Sequence, residues 1–344
     1  MLARRSTLNH PLGAVIDLPC LVPSFSSKGF PFFKDTKTKK HHSETTRAIE
    51  MMSPFIKNSI LISAYDLHHG YFREPRQAFP GKELVIIDSG GYELSSDWDS
   101  TEPYQGSYKP EPFSEKEYIA VIKKLPKNLP FAIANCDWST KGLSIKDQVL
   151  AAQELFGDFP KFLHGFLVKP SGKHKYLDMT DLIKHAGMFR KFHIIGVTEK
   201  ELGKDILDRL INLAKLRSAM DREQISTPIH VWGGLDPIFT PLYFFAGAEL
   251  FDGVSWLRYA YRDGVAVYRD CSGVLDKGIE TPIDHVRALA LSHNLTYLQE
   301  LTTSLRRFVD ENGVSFSMFS WHANEFEKAY KVLSTKIPEL KRGM

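Results

Sequence analysis

Six short apolar runs in this chain each end close to a residue that could take part in chemistry. Such a run predicts a buried strand, and in a (β/α)8 barrel the carboxyl ends of all strands meet at one face. Three carboxylates, a lysine, a tryptophan and a glycine from distant parts of the sequence would then surround one pocket. The residues near the ends of the runs are Asp88, Asp137, Lys169, Gly196, Trp232 and Asp252.

Two of these carboxylates are distinguished by their neighbours in the sequence. Asp88 is followed by a serine, two glycines and Tyr92, so that the backbone could approach a flat ligand beside an aromatic ring. Asp252 directly follows an apolar run, where a buried carboxylate is unfavourable unless it has partners or a task. A tight turn at the glycines and a capping role for Asp252 are the alternatives that need no ligand.

The alternation of apolar runs and amphipathic stretches predicts an α/β fold. Eight strands with helical crossovers indicate a (β/α)8 TIM barrel. A doubly wound open sheet is the competing architecture, but no Gly-x-Gly-x-x-Gly segment follows an early strand. The strands are predicted near residues 13–22, 59–63, 84–87, 131–135, 163–168, 192–197, 229–232 and 250–254, and the helices at 115–124, 145–155, 200–220 and 237–246.

The predicted barrel occupies about residues 11–270 of a single domain, 1–344. After Asp270 the alternation stops, and additional C-terminal helices are predicted within about 280–335, at 283–291, 295–309 and 324–333. The segment 95–112 is rich in Ser, Asp, Pro, Tyr and Gly and predicts a long loop on the carboxyl face. Such a loop could close over a ligand.

Composition excludes several classes of protein. With 43% hydrophobic and 25% charged residues, the chain is typical of a globular protein with a sizeable core. It contains no apolar segment long enough to span a membrane, and its start lacks the apolar stretch of a secretory signal. We therefore expect a cytoplasmic protein without membrane contact. The three widely separated cysteines provide neither a disulfide framework nor a Cys-x-x-Cys metal site.

Basic residues are concentrated in two short clusters. The net charge of +3 is well short of the basic excess of many free-standing nucleic-acid-binding proteins, so such a role would depend on local patches. Charge runs are more often solvated faces, which is the alternative for both clusters. The first contains Lys34, Lys37, Lys39, Lys40 and Arg47 with His41 and His42, and the second contains Lys328, Lys331, Lys336, Lys341 and Arg342.

Four segments match the motifs of one enzyme family, in order and at fitting intervals. Residues 88–92 are similar to its Asp-Ser-Gly-Gly-(Phe/Tyr) signature, and Pro237 with Asp252 fifteen residues later is similar to the segment that carries its nucleophile. Residues 292–301 are similar to a late helix, and residues 60–67, more loosely, to the second strand. The chain thus resembles, over about residues 11–310, the catalytic barrel of the tRNA-guanine transglycosylase family. Members of that family exchange a guanine in nucleic acid for a 7-deazaguanine.

The resemblance implies roles for the acids. Asp252 would be the nucleophile on the sugar C1′ and Asp88 the general acid/base, a division of labour that two carboxylates also serve in retaining glycosidases. Asp137 would read the N1–H and N2–H2 donors of guanine, with Asp147 at a second matching position. Adenine lacks that donor pair, so the site would select guanine-like edges.

The resemblance also implies the other contacts to the base. The backbone at Gly196 and Val197 would donate to the base O6, while Tyr92 and Trp232 would stack on the ring. For Trp232, a place in the core is the alternative. The family's glutamine in the fifth-strand motif is Lys169 here, which replaces an amide by a purely donating cation. Base preference is therefore expected to differ.

Two further features concern the polynucleotide. Arg258 and Arg262 would contact phosphates, although one extra residue lies between Asp252 and Arg258. The zinc site of the family's tRNA-acting bacterial members has three cysteines and a histidine; here His293 stands alone, and Cys271 cannot replace three thiolates. We therefore expect no structural zinc and no other cofactor. Because that subdomain helps to grip tRNA, its absence favours DNA as the substrate.

These observations predict a pentosyltransferase that exchanges guanine in a polynucleotide, with DNA favoured, for a free 7-deazaguanine base such as preQ0. A protein partner that opens or delivers the DNA is compatible with this prediction. The alternatives are an enzyme acting on tRNA, a non-catalytic subunit that binds nucleic acid or a catalytic paralogue, and a glycoside hydrolase. Retention of both Asp88 and Asp252 argues against the subunit, and a hydrolase gives no reason for Asp137 and Gly196.

Overall fold

The computed structural model describes residues 1–36, 39–73, 75–95 and 109–337. At its centre, eight parallel strands close into a barrel that is surrounded by helices. The predicted (β/α)8 TIM barrel with additional C-terminal helices is therefore confirmed. Lys37, Lys341 and Arg342 of the basic clusters, and residues 96–108 of the predicted loop, lie outside the described residues.

The strands comprise the barrel and three antiparallel hairpins. Around the barrel the order is β3-β6-β7-β8-β9-β10-β11-β12, and β12 pairs with β3 to close the ring. The hairpins are β1–β2, β4–β5 and β13–β14. In chain order the strands are β1 (Ser6–Asn9), β2 (Val15–Leu18), β3 (Cys20–Phe25), β4 (Phe32–Lys34), β5 (His41–Ser43), β6 (Ser59–Ser63), β7 (Leu84–Asp88), β8 (Phe131–Ala134), β9 (Leu163–Val168), β10 (Ile194–Thr198), β11 (Ile229–Trp232), β12 (Leu250–Gly253), β13 (Ala260–Arg262) and β14 (Val265–Val267).

Helices connect the barrel strands and extend the fold at its C-terminal side. Among the described helices, none combines the length and the apolar character needed to cross a membrane. The α-helices are α1 (Thr45–Met52), α2 (Ala64–His69), α3 (Gly91–Leu94), α4 (Glu115–Lys123), α5 (Asp137–Thr140), α6 (Ile145–Gly157), α7 (Met179–Lys184), α8 (Ile206–Arg222), α9 (Phe239–Phe245), α10 (Ser255–Arg258), α11 (Arg269–Lys277), α12 (Ile283–Asp310) and α13 (Ala323–Lys336). Short 3-10 helices lie at Ser53–Phe55, Pro75–Ala78, Ala186–Lys191, Glu199–Glu201 and Ser317–His322.

The barrel strands are buried on both faces, which is why they read as continuous apolar runs. All five residues of β7 are buried, for example, because alternate side chains point into the barrel and into the layer beneath the helices. Leu84 and Ile86 belong to a cluster of apolar side chains inside the barrel, and Val85 and Ile87 to the cluster outside it. Asp88 lies two residues after Ile86, so its side chain also points into the barrel.

The hairpin β1–β2 covers the amino-terminal end of the barrel. Its side chains Leu8, Ile16 and Leu18 belong to the same interior cluster as Leu84 and Leu250, the first residues of β7 and β12. The prediction of one strand near 13–22 was wrong, because this stretch divides between the hairpin strand β2 and the barrel strand β3. A continuous apolar run does not show where the chain turns from one sheet to another.

The helix beginnings follow local capping chemistry. The Asp205 side chain accepts a hydrogen bond from the backbone N–H of Asp208 and starts α8 at Ile206. The predicted start at residue 200 was therefore too early. The Ser144 hydroxyl caps α6 in the same way, and Ser114 with Glu117 forms a capping box at α4.

One long helix, α12, replaces the two helices predicted at 283–291 and 295–309. The two predicted stretches were separated by residues 292–294, but Asn294 is fully buried inside the helix. Its amide donates to the carbonyl oxygens of Trp256 and Tyr259, each at 2.7 Å, and accepts from the backbone N–H of Tyr261 at 2.6 Å. Its polar groups are thus satisfied by the segment after β12, so the helix continues through it.

Candidate active site at the carboxyl end of the barrel

Among the described residues, several acids are buried at the carboxyl end of the barrel, and we refer to five of them as the acidic cluster. Each lies at the end of a barrel strand or in the short helix that follows it, with Asp88 and Glu93 both at β7, and none is more than 6% exposed. Because a buried carboxylate is unfavourable without partners, such a concentration is typical of a functional site. The members are Asp66 in α2, Asp88 at the end of β7, Glu93 in α3, Asp137 at the start of α5 and Asp252 in β12.

Asp252 is held by three hydrogen-bond donors from three segments. The Ser24 hydroxyl of β3 donates to Oδ2 at 2.8 Å. Oδ1 lies 2.9 Å from Nε2 of His230 in β11 and accepts from the backbone N–H of Gly233 at 3.3 Å. An ionised carboxylate is a pure acceptor, so this surrounding of donors suits its charged form and fixes its orientation.

Asp88 lies in a different environment. One hydrogen bond to its carboxyl is described, from the backbone N–H of Gly90 to Oδ2 at 3.1 Å. Burial raises the pKa of Asp88 well above its usual value, and the neighbouring charges of Glu93, Asp137 and Asp252 raise it further. The protonated acid is therefore favoured at Asp88.

Glu93 and Asp66 were not among the residues predicted from the sequence. Burial raises the pKa of both, and for Asp66 the charge of Glu93 adds to this effect. The Glu93 carboxylate accepts from the hydroxyls of Ser26 at 2.5 Å and Ser63 at 2.7 Å. Asp66 accepts from the backbone N–H of Ser27 at 2.9 Å. The position of both acids just beyond strand ends was the signal that could have found them.

Asp137 and Lys169 form a buried ion pair. Lys169 Nζ lies 3.3 Å from Asp137 Oδ2 and 3.0 Å from Glu201 Oε2, and it donates to the Thr198 hydroxyl at 3.0 Å. Burial lowers the pKa of the Lys169 ammonium, but the carboxylates of Asp137 and Glu201 outweigh it and raise the pKa overall. The Ser89 hydroxyl donates to the other Asp137 oxygen. The fold therefore brings together two of the residues that were predicted to bind the base.

Gly196 and Trp232 meet inside the barrel. A Cβ atom on Gly196 would lie 2.5 Å from Trp232 Nε1, so only glycine leaves room for the indole. The indole stacks on His230, with ring centroids 4.5 Å apart and an interplanar angle of 28°. Its buried N–H has no acceptor among the described residues. The Val197 side chain is buried in the outer cluster, so only its backbone could contribute to a site within the barrel.

Tyr92 is anchored by two buried cations. The Arg258 guanidinium donates to the Tyr92 hydroxyl at 2.9 Å and to the carbonyl oxygen of Lys28 at 3.1 Å. Lys28 Nζ donates to the carbonyl oxygens of Tyr92 and Ser95 and lies 4.5 Å from the centre of the Tyr92 ring. Arg258 is only 3% exposed, so its predicted phosphate contact would require this guanidinium to leave its internal partners.

The two glycines before Tyr92 allow the loop to pack closely on its neighbours. A Cβ atom on Gly91 would lie 3.0 Å from both carboxylate oxygens of Asp137. Gly90 has a φ of +92°, and a Cβ atom there would lie 2.9 Å from that of Tyr65. Close approach, and not only a turn, is therefore the reason for glycine at both positions.

Arg262 and Asp147 are placed differently from the buried group. Arg262, in β13, forms an ion pair with Asp276 and lies 3.7 Å from Asp263, with its side chain one-third exposed. Asp147 is exposed in the first turn of α6, where it accepts from the Ser144 hydroxyl. A contact of either residue with substrate remains a prediction.

In the part of the chain that the structure describes, no group of three or more His, Cys, Asp or Glu side chains is arranged to hold a metal ion. His293 and Cys271 are exposed, while Cys20 and Cys136 are buried. Comparison with protein-family models and with curated proteins finds no match.

Proposed function

We propose that this protein is a guanine transglycosylase, which exchanges guanine in a polynucleotide for a 7-deazaguanine such as preQ0. The observation that carries the proposal is the contrast between Asp252 and Asp88. Asp252 is surrounded by donors, whereas Asp88 is buried with a raised pKa. Two carboxyl groups with opposite environments at one site suit a nucleophile and a general acid.

In the first half-reaction, a carboxylate oxygen of Asp252 forms a bond to the sugar C1′ while the C1′–N9 bond to guanine breaks. The electron pair of that bond leaves with the base, and Asp88 donates its proton to it. In the second half-reaction, N9 of the incoming base attacks C1′ and releases Asp252. Asp88 then accepts the N9 proton, so that both carboxyl groups return to their starting state.

The ion pair of Asp137 and Lys169 supports recognition of a guanine-like edge. A carboxylate can accept from the N1–H and N2–H2 groups, and the ammonium can donate to an acceptor such as O6. Glycine at position 91 allows the backbone to approach Asp137 closely, because a Cβ atom there would lie 3.0 Å from both of its carboxylate oxygens. Tyr92 and Trp232 remain the candidates for stacking on the base.

Exposed lysines on loops at the carboxyl side of the barrel support a polynucleotide substrate. Lys34, Lys39 and Lys40 lie in or beside the hairpin β4–β5 that follows β3, and Lys173 and Lys175 follow β9. Lysines at the same end as the acidic cluster could neutralise backbone phosphates while one base enters the barrel. DNA is favoured over tRNA because the three cysteines of the family's tRNA-gripping zinc site are missing from the sequence.

The test is incubation of the purified chain and preQ0 with DNA and with tRNA that carry labelled guanine. We expect release of label from DNA and a protein–nucleic acid adduct that survives denaturation when exchange is stopped. Release from tRNA alone would make tRNA the substrate. Binding without release or adduct would contradict the enzyme and support a non-catalytic nucleic-acid-binding subunit.

A further inference from the structure

His230 is a buried imidazole in direct contact with the acidic cluster, and the sequence motifs gave no reason to select it. The side chain is fully buried in β11. Its Nε2 lies 2.9 Å from Asp252 Oδ1. The other ring nitrogen, Nδ1, is buried and has no hydrogen-bond partner in the described part of the chain. A polar ring in this position requires an explanation other than packing.

The barrel fixes where the imidazole lies. His230 and Trp232 are two residues apart in one strand, so both point to the same side of it, and their rings stack. On the neighbouring strand, His230 is paired with Gly196, which has no side chain to compete for the space. The ring is thus confined by the indole on one face and directed at Asp252 by the strand.

The contacts also favour one tautomer of the imidazole. Because an ionised Asp252 can only accept, the hydrogen bond requires a proton on Nε2 of His230. A proton on Nδ1 would be buried without an acceptor, which is unfavourable. The arrangement therefore favours an imidazole whose single proton is on Nε2 and is donated to Asp252.

The donors are divided unequally between the two oxygens of Asp252. Oδ1 faces His230 and the Gly233 N–H, whereas Oδ2 accepts from the Ser24 hydroxyl. Oδ2 therefore keeps more acceptor capacity for an incoming carbon atom. The His230 hydrogen bond to Oδ1 would set the rotation of the carboxylate and hence the direction of Oδ2.

We propose that His230 is a positioning residue that orients Asp252 for attack by Oδ2 on the sugar carbon. This inference rests on the proposed transglycosylase function. His230 would not touch the substrate, so its loss is expected to change kcat and leave KM nearly unchanged. Misplacement of a reacting group by about 1 Å is enough to lower a rate about 100-fold.

Two substitutions separate the hydrogen bond from the packing. His230→Phe keeps an aromatic ring against Trp232 but removes the donor, and we expect kcat to fall about 100-fold. His230→Gln places an amide N–H near the position of Nε2, and we expect it to recover at least about tenfold of that loss. His164→Phe is the matched control, because His164 stacks on Phe156 near the start of β9, away from the acidic cluster. Wild-type kcat in His230→Phe, or no recovery in folded His230→Gln, would overturn the proposal.

A second measurement does not require turnover. In a spectrum of the wild-type chain with 15N-labelled imidazoles, we expect one ring, absent from His230→Phe, protonated on Nε2 and shifted by Asp252→Asn. A ring protonated on Nδ1, or one that does not respond to Asp252→Asn, would overturn the inference. If the wild-type chain exchanges no base, the proposed function fails, and this spectrum alone decides whether His230 holds Asp252.

Discussion

The two ends of the barrel use the same strands for opposite purposes. At the amino-terminal end, the inward side chains of β7 and β12 are Leu84 and Leu250, which pack with the hairpin β1–β2. At the carboxyl end, the inward series of the same strands ends in Asp88 and Asp252. Within one strand, an apolar side chain and a buried acid are thus only four residues apart in β7 and two residues apart in β12.

This difference separates the end of the barrel that stabilises the fold from the end that we propose carries the chemistry. The interior cluster at the amino-terminal end consists of apolar side chains and one cysteine, with Trp232 packed against it. The acidic cluster instead contains groups whose ionised forms are disfavoured by burial, as the raised pKa values of Asp66, Asp88 and Glu93 indicate. We therefore expect substitutions at the two ends to affect different measurements.

The largest effect is expected from Asp252→Asn. This change removes the proposed nucleophile, so exchange should fall at least about 10⁴-fold. The free energy of unfolding should change much less than the rate of exchange, because asparagine keeps the shape of the side chain and one acceptor oxygen for the surrounding donors. Label release and urea unfolding measure the two quantities. Asp158→Asn, an exposed acid at the end of α6, is the control. Full exchange by Asp252→Asn would dismiss the nucleophile.

At the other end, Leu84→Ala should reverse this pattern. Leu84 is fully buried in the interior cluster, and loss of its side chain should lower the free energy of unfolding by about 2–5 kcal/mol. The kcat of the folded fraction should stay close to that of the wild-type chain. Urea unfolding, combined with active-site titration, tests both statements. A large fall in kcat without loss of stability would show that the two ends are not separable.

A smaller effect concerns pH. Burial, and next the charge of Glu93, raises the pKa of Asp66 above its ordinary value of 3.8. An acid of this kind stabilises the fold fully below its unfolded pKa and loses that contribution as pH rises through the folded pKa. Asp66→Asn should therefore be more stable than the wild-type chain near pH 7 and should flatten the decline of stability from about pH 4 upward.

The measurement for Asp66→Asn is urea unfolding at several pH values between about 4 and 8. The asparagine oxygen can still accept from the Ser27 N–H, so the change isolates the charge. Asp158→Asn serves again as the control for loss of an exposed acid. If the stability of Asp66→Asn depended on pH as steeply as that of the wild-type chain, or more steeply, burial would not disfavour the ionised form of Asp66.

The smallest effect is expected at the rim of the carboxyl end. Lys173 is exposed after β9, and Lys173→Ala should weaken DNA binding a few-fold and reduce the slope of log affinity against log salt by about 1. The control is Lys184→Ala. Lys184 is exposed at the end of α7, where the chain returns towards the amino-terminal end of the barrel. DNA binding is measured across a salt series. Equal effects of the two alanine substitutions would show that the two ends of the barrel do not differ in their contribution to DNA binding.

The sequence predicted the fold and the strand-end acids well, because both follow from short-range patterns. Asp88 and Asp252 were found from short continuous apolar runs and from the rule that strand ends share a face. Asp66 and Glu93 were missed although they lie just beyond strand ends, and His230 was missed because its contact with Asp252 joins two separate strands. The break predicted in α12 was wrong for a similar reason, since the partners of Asn294 lie 35 and 38 residues away.

The hydrogen bond between Ser24 and Asp252 joins β3 and β12, the first and last strands of the barrel, across 228 positions of sequence. During synthesis on the ribosome, β12 emerges long after β3, so Asp252 lacks this donor until the two strands pair and close the barrel. Assembly of the acidic cluster is thereby coupled to completion of the fold. The full donor set of Asp252, the proposed nucleophile, therefore forms only once β12 has paired with β3.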